Sequence, residues 1–190
     1  MNISKNKHIT GIILAGGKSS RMGQDKGLKL HQNKPFMQHI IDALSSITKN
    51  ILIVTSQKEY QKFGYPCFSD IIPDQGPVGG IYTGLSHSET KNNIVLSCDI
   101  PFITAEVLVN LINQYDANYD VTTYESTPLV TMYHRSVIKQ FLNSIEEKRL
   151  SLRKTLSLLK VKHIPIETHL MPFIQNINTH QQYKEAIQWS

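Results

Sequence analysis

The chain is poor in cysteine and tryptophan and has no long apolar run. Its two cysteines, Cys67 and Cys98, stand far apart and make no C-x-x-C pair. That argues against a disulfide framework or a zinc ribbon and leaves a pair of buried thiols as the expectation. No apolar stretch approaches the ~20 residues a membrane helix needs. The first residues, "MNISKNKHIT", lack the apolar segment of a signal peptide. A cytoplasmic location with no membrane partner is therefore expected. There is no low-complexity segment and no repeat at solenoid periods. The eight histidines are scattered, with no H-E-x-x-H spacing, and no serine sits in a G-x-S-x-G elbow. His134, His163 and His169 read as surface residues.

What is present is an ordinary globular composition, 40% hydrophobic and 18% charged, in 190 residues. One domain is expected, with no linker rich in Pro, Gly or Ser. The net charge is +5. Its cations are spread out, with modest concentrations only at Lys5–His8 and Lys148–Lys154, and no aromatics lie among them. That disfavours nucleic acid and favours small anionic ligands.

Short β-branched runs at Ile9–Leu14, Ile51–Thr55 and Ile94–Ser97 are apolar on both alternations, as in parallel strands covered on both faces. Between them, Pro35–Ser46, Val78–Ser86 and Ala105–Tyr115 carry helical periodicity. This alternation predicts an α/β fold of three layers, α/β/α, around a mostly parallel, Rossmann-like sheet. The second half is less regular. Strands are expected at Asp120–Tyr124 and Leu129–Tyr133, consistent with an antiparallel pair, and near Val161–Pro165. Helices are expected at Ser136–Lys148, Leu152–Leu159 and His180–Trp189, the last with Thr179 and Gln182 at capping-box spacing.

The most informative stretch is "GIILAGGKSSRMGQDKGLKL". It matches neither the P-loop G-x-x-x-x-G-K-[ST] nor the dinucleotide fingerprint G-x-G-x-x-G. Its pattern is L-A-G-G-x-S-x-R-M-G-x-D-K. Gly16 and Gly17 allow main-chain N–H groups to come close to an anion. Arg21 offers a planar fork to phosphate oxygens, and Lys26 a point charge. With Gly23 between the two cations, just after a buried strand, phosphate binding is the stronger reading over a solvated turn.

These residues resemble the signature of nucleotidyltransferases with a glycosyltransferase-A-type fold. Within them the chain is most similar to the molybdenum cofactor guanylyltransferases (the MobA type). The likeness continues through "NKPFMQHIIDAL", "SDIIPDQGPVGGI", "SCDIPFI" and "NINT". It implies the nucleotide-diphospho-sugar transferase type of sheet, with residues 8–104 as a nucleotide-binding half and 105–190 as an acceptor-binding half. It also implies transfer of GMP from GTP to the terminal phosphate of molybdenum-molybdopterin, with Mg²⁺ as cofactor. Other cofactor-biosynthesis proteins or recipient molybdoenzymes are the implied protein partners, and a monomer is expected. A cytidylyltransferase, a sugar-phosphate nucleotidyltransferase, or a non-catalytic pterin-binding protein are the alternatives.

The resemblance assigns roles position by position. Arg21, Lys26 and Asp99 are the catalytic candidates. Leu14, Ala15, Gly16, Gly17, Lys26, Asp70, Gly76, Gly80 and Asp99 are the nucleotide-binding candidates. Asp99 follows an apolar strand, where α/β sheets place ligands, and matches the family's metal aspartate; with the glycine loop present this role is favoured over a helix N-cap or turn aspartate before Pro101. Asp70 matches a nucleoside-contacting position, with Asp74 as runner-up; a carboxylate suits the N–H donors of guanine. Gly76, Gly79 and Gly80 suggest a loop opening into a helix. "VTSQ" stands where the family commonly has asparagine, and Ser56 is spaced to cap a helix with Glu59. Asn176 and Asn178 match asparagines near the metal and the second substrate, though Asn178 also suits a turn.

Overall fold

The apolar run at the start of the signature forms β1 (Ile9–Leu14), buried at every position. This is the condition of a central strand covered on both faces. The computed structural model describes residues 8–16, 26–125 and 127–188. Gly17, Arg21 and Gly23 lie outside the described residues.

After a 3₁₀ turn at Lys26–Leu28, β2 (Leu30–His31) and β3 (Lys34–Pro35) pair as a hairpin. Its two loop residues, Gln32 and Asn33, have φ of 49° and 60°, the positive pair that a type I′ turn requires. Then come α1 (Phe36–Ile47), β4 (Asn50–Val54), β5 (Cys67–Phe68), α2 (Gly76–His87) and β6 (Asn92–Ser97). The second half adds α3 (Ala105–Asn113), β7 (Val121–Tyr124), β8 (Thr127–His134), α4 (Ile138–Glu146), α5 (Leu152–Leu156), β9 (Val161–Ile164) and α6 (His180–Ala186).

Seven strands form one sheet in the order β5-β4-β1-β6-β8-β7-β9. β8 runs antiparallel to both of its neighbours, and every other pairing is parallel. The antiparallel pair expected in the second half is β7 and β8. The chain leaves β1 for β4 on one side and returns to β6 on the other. The crevice at the carboxyl ends of β1 and β6 is thus a topological switch point, where open α/β sheets bind ligands.

The period-2 alternation of strand side chains divides the core into two layers. Ile9, Ile13, Ile51, Ile53, Ile94 and Leu96 pack against α1 and α3. Ile12, Leu14, Leu52, Val54 and Val95 pack against α2, α4 and α5. Helix α2 lies close to β1 because it presents glycine there. A Cβ on Gly84 would stand 2.4 Å from Ile12 Cγ2, and one on Gly80 3.3 Å from Leu14 Cδ2.

Several expectations are revised. Pro35 is the N-cap of α1 rather than its first residue. α2 begins earlier than expected, at Gly76, and α5 ends earlier, at Leu156. α4 begins only after a 3₁₀ turn at Arg135–Val137. Ser56 caps nothing: the Thr55 hydroxyl accepts from Gln57 N–H at 3.2 Å, and the following 3₁₀ helix, Lys58–Phe63, has no side-chain cap. The two thiols are half-buried rather than buried, and so is His134. The capping box at Thr179 and Gln182 forms as expected.

No helix among the described residues is long and apolar enough to cross a membrane. The fit of α2 on β1 makes a prediction. Gly84→Ala should lower stability by about 1–3 kcal/mol through overpacking, read as a lower urea midpoint. Combining it with Ile12→Ala should cost less than the two single changes added together, because the methyl then has room.

Candidate active site

The end of β1 gives up its main-chain bonds in order. Ala15 N–H donates to Val54 O at 2.9 Å, and Leu14 O accepts from Cys98 N–H at 3.0 Å. Ala15 is buried, and its amide is committed to the sheet, so it offers no N–H to an anion. Its part is to carry the chain out to Gly16. Gly16 is exposed, with open space where a Cβ would stand.

Asp99 lies just past β6, beside that point. Its main-chain carbonyl accepts from Ile177 N–H at 2.7 Å. This bond brings the "NINT" segment, remote in sequence, against the strand end. Asn178 Oδ1 there accepts from Lys26 Nζ at 2.5 Å. Lys26, Asp99 and Asn178 are thereby gathered at one place. Asn176 is exposed in the same segment.

Asp70 stands on the α2 side of the same strand end. Its Oδ1 lies 3.9 Å from where a Gly80 Cβ would be, and Leu14 Cδ2 flanks that position. Gly80 is buried; the structure makes it the residue that lets Asp70 and Leu14 come together. Thr83 of α2 orders the approach, its hydroxyl accepting from Ile71 N–H at 3.0 Å. Burial pushes the Asp70 carboxyl above the usual carboxylate range; the Thr83 hydroxyl opposes this and Asp74 adds to it. Asp74 itself is exposed, with φ of 61°. Gly76, with φ of 56°, begins α2 and is exposed.

Among the described residues, two carboxylate oxygens are buried with no hydrogen-bond partner: Asp70 Oδ1 and Asp99 Oδ1. A buried acceptor left alone is costly, so such an atom points to a donor or cation outside the protein. Each is an acceptor that suits an N–H donor or a hard cation. No group of three or more His, Cys, Asp or Glu gathers among the described residues. One carboxylate with neighbouring amides suits Mg²⁺ that shares phosphate oxygens, and does not suit an all-protein cage.

A family model for the MobA-like NTP transferase domain matches residues 11–163. The chain belongs to this family. It is 41% identical over 175 residues to a probable molybdenum cofactor guanylyltransferase of Flavobacterium johnsoniae, covering 90% of this chain and 92% of that one. The fold is that of molybdopterin-guanine dinucleotide biosynthesis protein A from Archaeoglobus fulgidus, with TM-score 0.80, 22% identity and coverage of 94% and 97%. It is also that of CMP:2-keto-3-deoxy-manno-octonic acid synthetase complexed with CTP, with TM-score 0.71, 16% identity and coverage of 95% and 96%. The chain is thus a nucleotidyltransferase by family, on a fold that serves more than one nucleotide.

In this family member, one structural group has no counterpart in the sequence reading. His31, 7% exposed, has Nδ1 3.0 Å from the Tyr183 hydroxyl, with the Phe102 ring edge-on at 5.1 Å. Phe36, Ile177 and Ala186 complete the cluster. It joins the β2–β3 hairpin, the segment after Asp99 and α6, and so supports the Lys26–Asn178 contact from behind. The signal was Tyr183, which lies one turn into a helix with a capping box.

Burial, with His39 adding to it, holds His31 below the ordinary imidazole range. The unfolded chain therefore binds this proton more readily than the folded one. The stabilising contribution is complete above the unfolded value of about 6.5 and declines as pH falls below it. His31→Gln should show a shallower fall in Tm than the wild type between about pH 7.5 and pH 5.5, measured by thermal melts across that range.

Proposed function

We propose that the chain transfers GMP from GTP to the terminal phosphate of molybdenum-molybdopterin, releasing pyrophosphate and forming a molybdopterin guanine dinucleotide. The observation that carries this reading is the pair of buried, unpartnered carboxylate oxygens, Asp70 Oδ1 and Asp99 Oδ1, on either side of the open end of β1. One suits the N–H donors of guanine and the other a cation on the phosphates. The choice of guanine and of the pterin acceptor is supported by the names of the relatives, above all the Flavobacterium johnsoniae protein.

In the bond-making step, an oxygen of the acceptor phosphate attacks the α-phosphorus of GTP. The bond from that phosphorus to the bridging oxygen breaks, and pyrophosphate leaves with the electron pair. A phosphate monoester is already anionic near neutral pH, so no side chain has to remove a proton. The difficulty is electrostatic, since two anions must meet.

Lys26 addresses this with a cation held by Asn178, which fixes its ammonium before substrate arrives. Gly16 leaves room at the strand end for phosphate to come close. Asp70 and Asn176 would bind the base and the acceptor on opposite sides. A Mg²⁺ ion held by Asp99 would supply charge neutralisation across the phosphates.

Pyrophosphate release should be seen with GTP and molybdenum-molybdopterin, and not with CTP, ATP or UTP. Release from CTP with a sugar or alditol phosphate would overturn the base and acceptor assignments. Asp99→Ala should lower kcat by about 10²–10³ or more, and Lys26→Ala should weaken both nucleotide binding and rate. Asn178→Ala should act in the same direction as Lys26→Ala but less, because the ammonium remains and only its support is lost. Normal turnover by folded Asp99→Ala would sink the metal role.

A further inference from the structure

The reaction above uses the carboxyl ends of β1 and β6 and leaves the second half of the sheet without a role. There, a cavity of ≈ 410 Å³ opens along β9 and the end of β7, against helix α5 and the residues that follow it. Its size lies within the range of small-molecule sites. Leu156, Leu159, Val161 and Pro128 give it apolar walls. Glu125, Arg153 and His163 bring charge and hydrogen-bonding groups to it, all three exposed at its mouth. Among the described residues, the Glu125 and Arg153 side chains make no hydrogen bond or ion pair with one another or with a neighbour, unlike Arg149, which pairs with Glu147.

The Glu125 end of the cavity, just past β7, lies at the carboxyl edge of the sheet. β7 runs parallel to β6 with β8 between them, so β7 and β6 end on the same edge of the sheet. β9 is parallel to β7 and ends there too. The cavity borders the layer that contains α2, α4 and α5, the layer in which Asp70 sits beside Gly80. Two strand spacings separate β6 from β7, on the order of 10 Å. A ligand lying across that distance would put one end in the cavity and the other beside Asp99.

We infer that this cavity seats the pterin ring of the acceptor. The inference rests on the guanylyl-transfer reading for the identity of that acceptor. A flat, fused heterocycle fits between the apolar walls. A pterin presents an N–H and an amino group on one edge, a donor pair that a single carboxylate accepts, and Glu125 is the carboxylate at the cavity. Arg153 supplies a planar donor fork for the anionic remainder of the molecule. The phosphate, at the far end of the ligand, then extends along the sheet edge toward Lys26 and Asp99. The cations of "EKRLSLRKTL" thus divide: Arg149 is tied to Glu147, whereas Arg153 is available to a ligand.

The test is titration calorimetry with metal-free molybdopterin under anaerobic conditions, on the wild type, Glu125→Gln and Arg153→Ala, with GTP titrated in parallel. Each variant should bind the pterin about tenfold or more weakly, the size of a lost charge-assisted contact. GTP affinity should stay the same, which also shows that the variants fold. In turnover, KM for the acceptor should rise while kcat barely moves. Equal pterin affinity in wild type and variants would overturn the cavity assignment and leave guanylyl transfer standing. Weakened pterin binding in the variants, with no GMP transfer by the wild type, would support the cavity and sink the transfer reading. No pterin binding by the wild type would overturn both.

Discussion

One main-chain hydrogen bond, from Ile177 N–H to Asp99 O, holds the site together. It fastens a late segment of the chain to the end of a central strand. It places Asn178, whose own N–H donates to Gln182 Oε1 at 2.7 Å, where its side chain meets the ammonium of Lys26. The aromatic cluster of Phe36, Phe102, Tyr183 and His31 lies behind the same bond. Ile177 is itself a buried member of that cluster, so the packing and the bond hold the same residue. A weak interaction in isolation becomes decisive because three distant segments converge on it.

The two lone carboxylate oxygens show how the sheet separates tasks. Asp70 is held by α2, whose close approach to β1 depends on Gly80 and Gly84. Asp99 is held by β6 and by the segment around Ile177. The supports share little beyond the sheet itself, so the environment of one carboxylate can change without moving the other. This separation suits a fold that also carries a CTP-bound enzyme among its relatives in shape. The surroundings of Asp70 can vary on the α2 side while those of Asp99 stay as they are.

Much of this was legible in the sequence, for identifiable reasons. β1, β4 and β6 were visible because strands buried on both faces must be apolar at every position. The late helix was visible through its capping box. The hairpin of β2 and β3 was not, because its turn uses Gln32 and Asn33 in place of the glycine that usually marks positive φ. Lys26, Asp99 and Asn178 were each singled out by resemblance, but nothing local tells that Lys26 touches Asn178. Such pairing is a property of topology, and so is the bond from the Ala15 amide to Val54, on a strand distant in sequence. The cavity beside α5 was hidden for a similar reason: Glu125, Arg153 and His163 are far apart in sequence, and only the fold brings them to one cavity.

The remoteness of Lys26 from Asn178 also bears on synthesis. A chain emerging from the ribosome can pair β1 with β4 and β6 and place Asp70 beside Leu14 before the segments beyond β6 are made. It cannot fix Lys26 until the "NINT" segment has emerged and docked. The Asp70 side can therefore form early, whereas Lys26 is held only once the "NINT" segment has docked. Intermediates short of that docking hold Asp70 beside Leu14 without the Lys26–Asn178 contact, so the two sides of the strand end are assembled in separate steps.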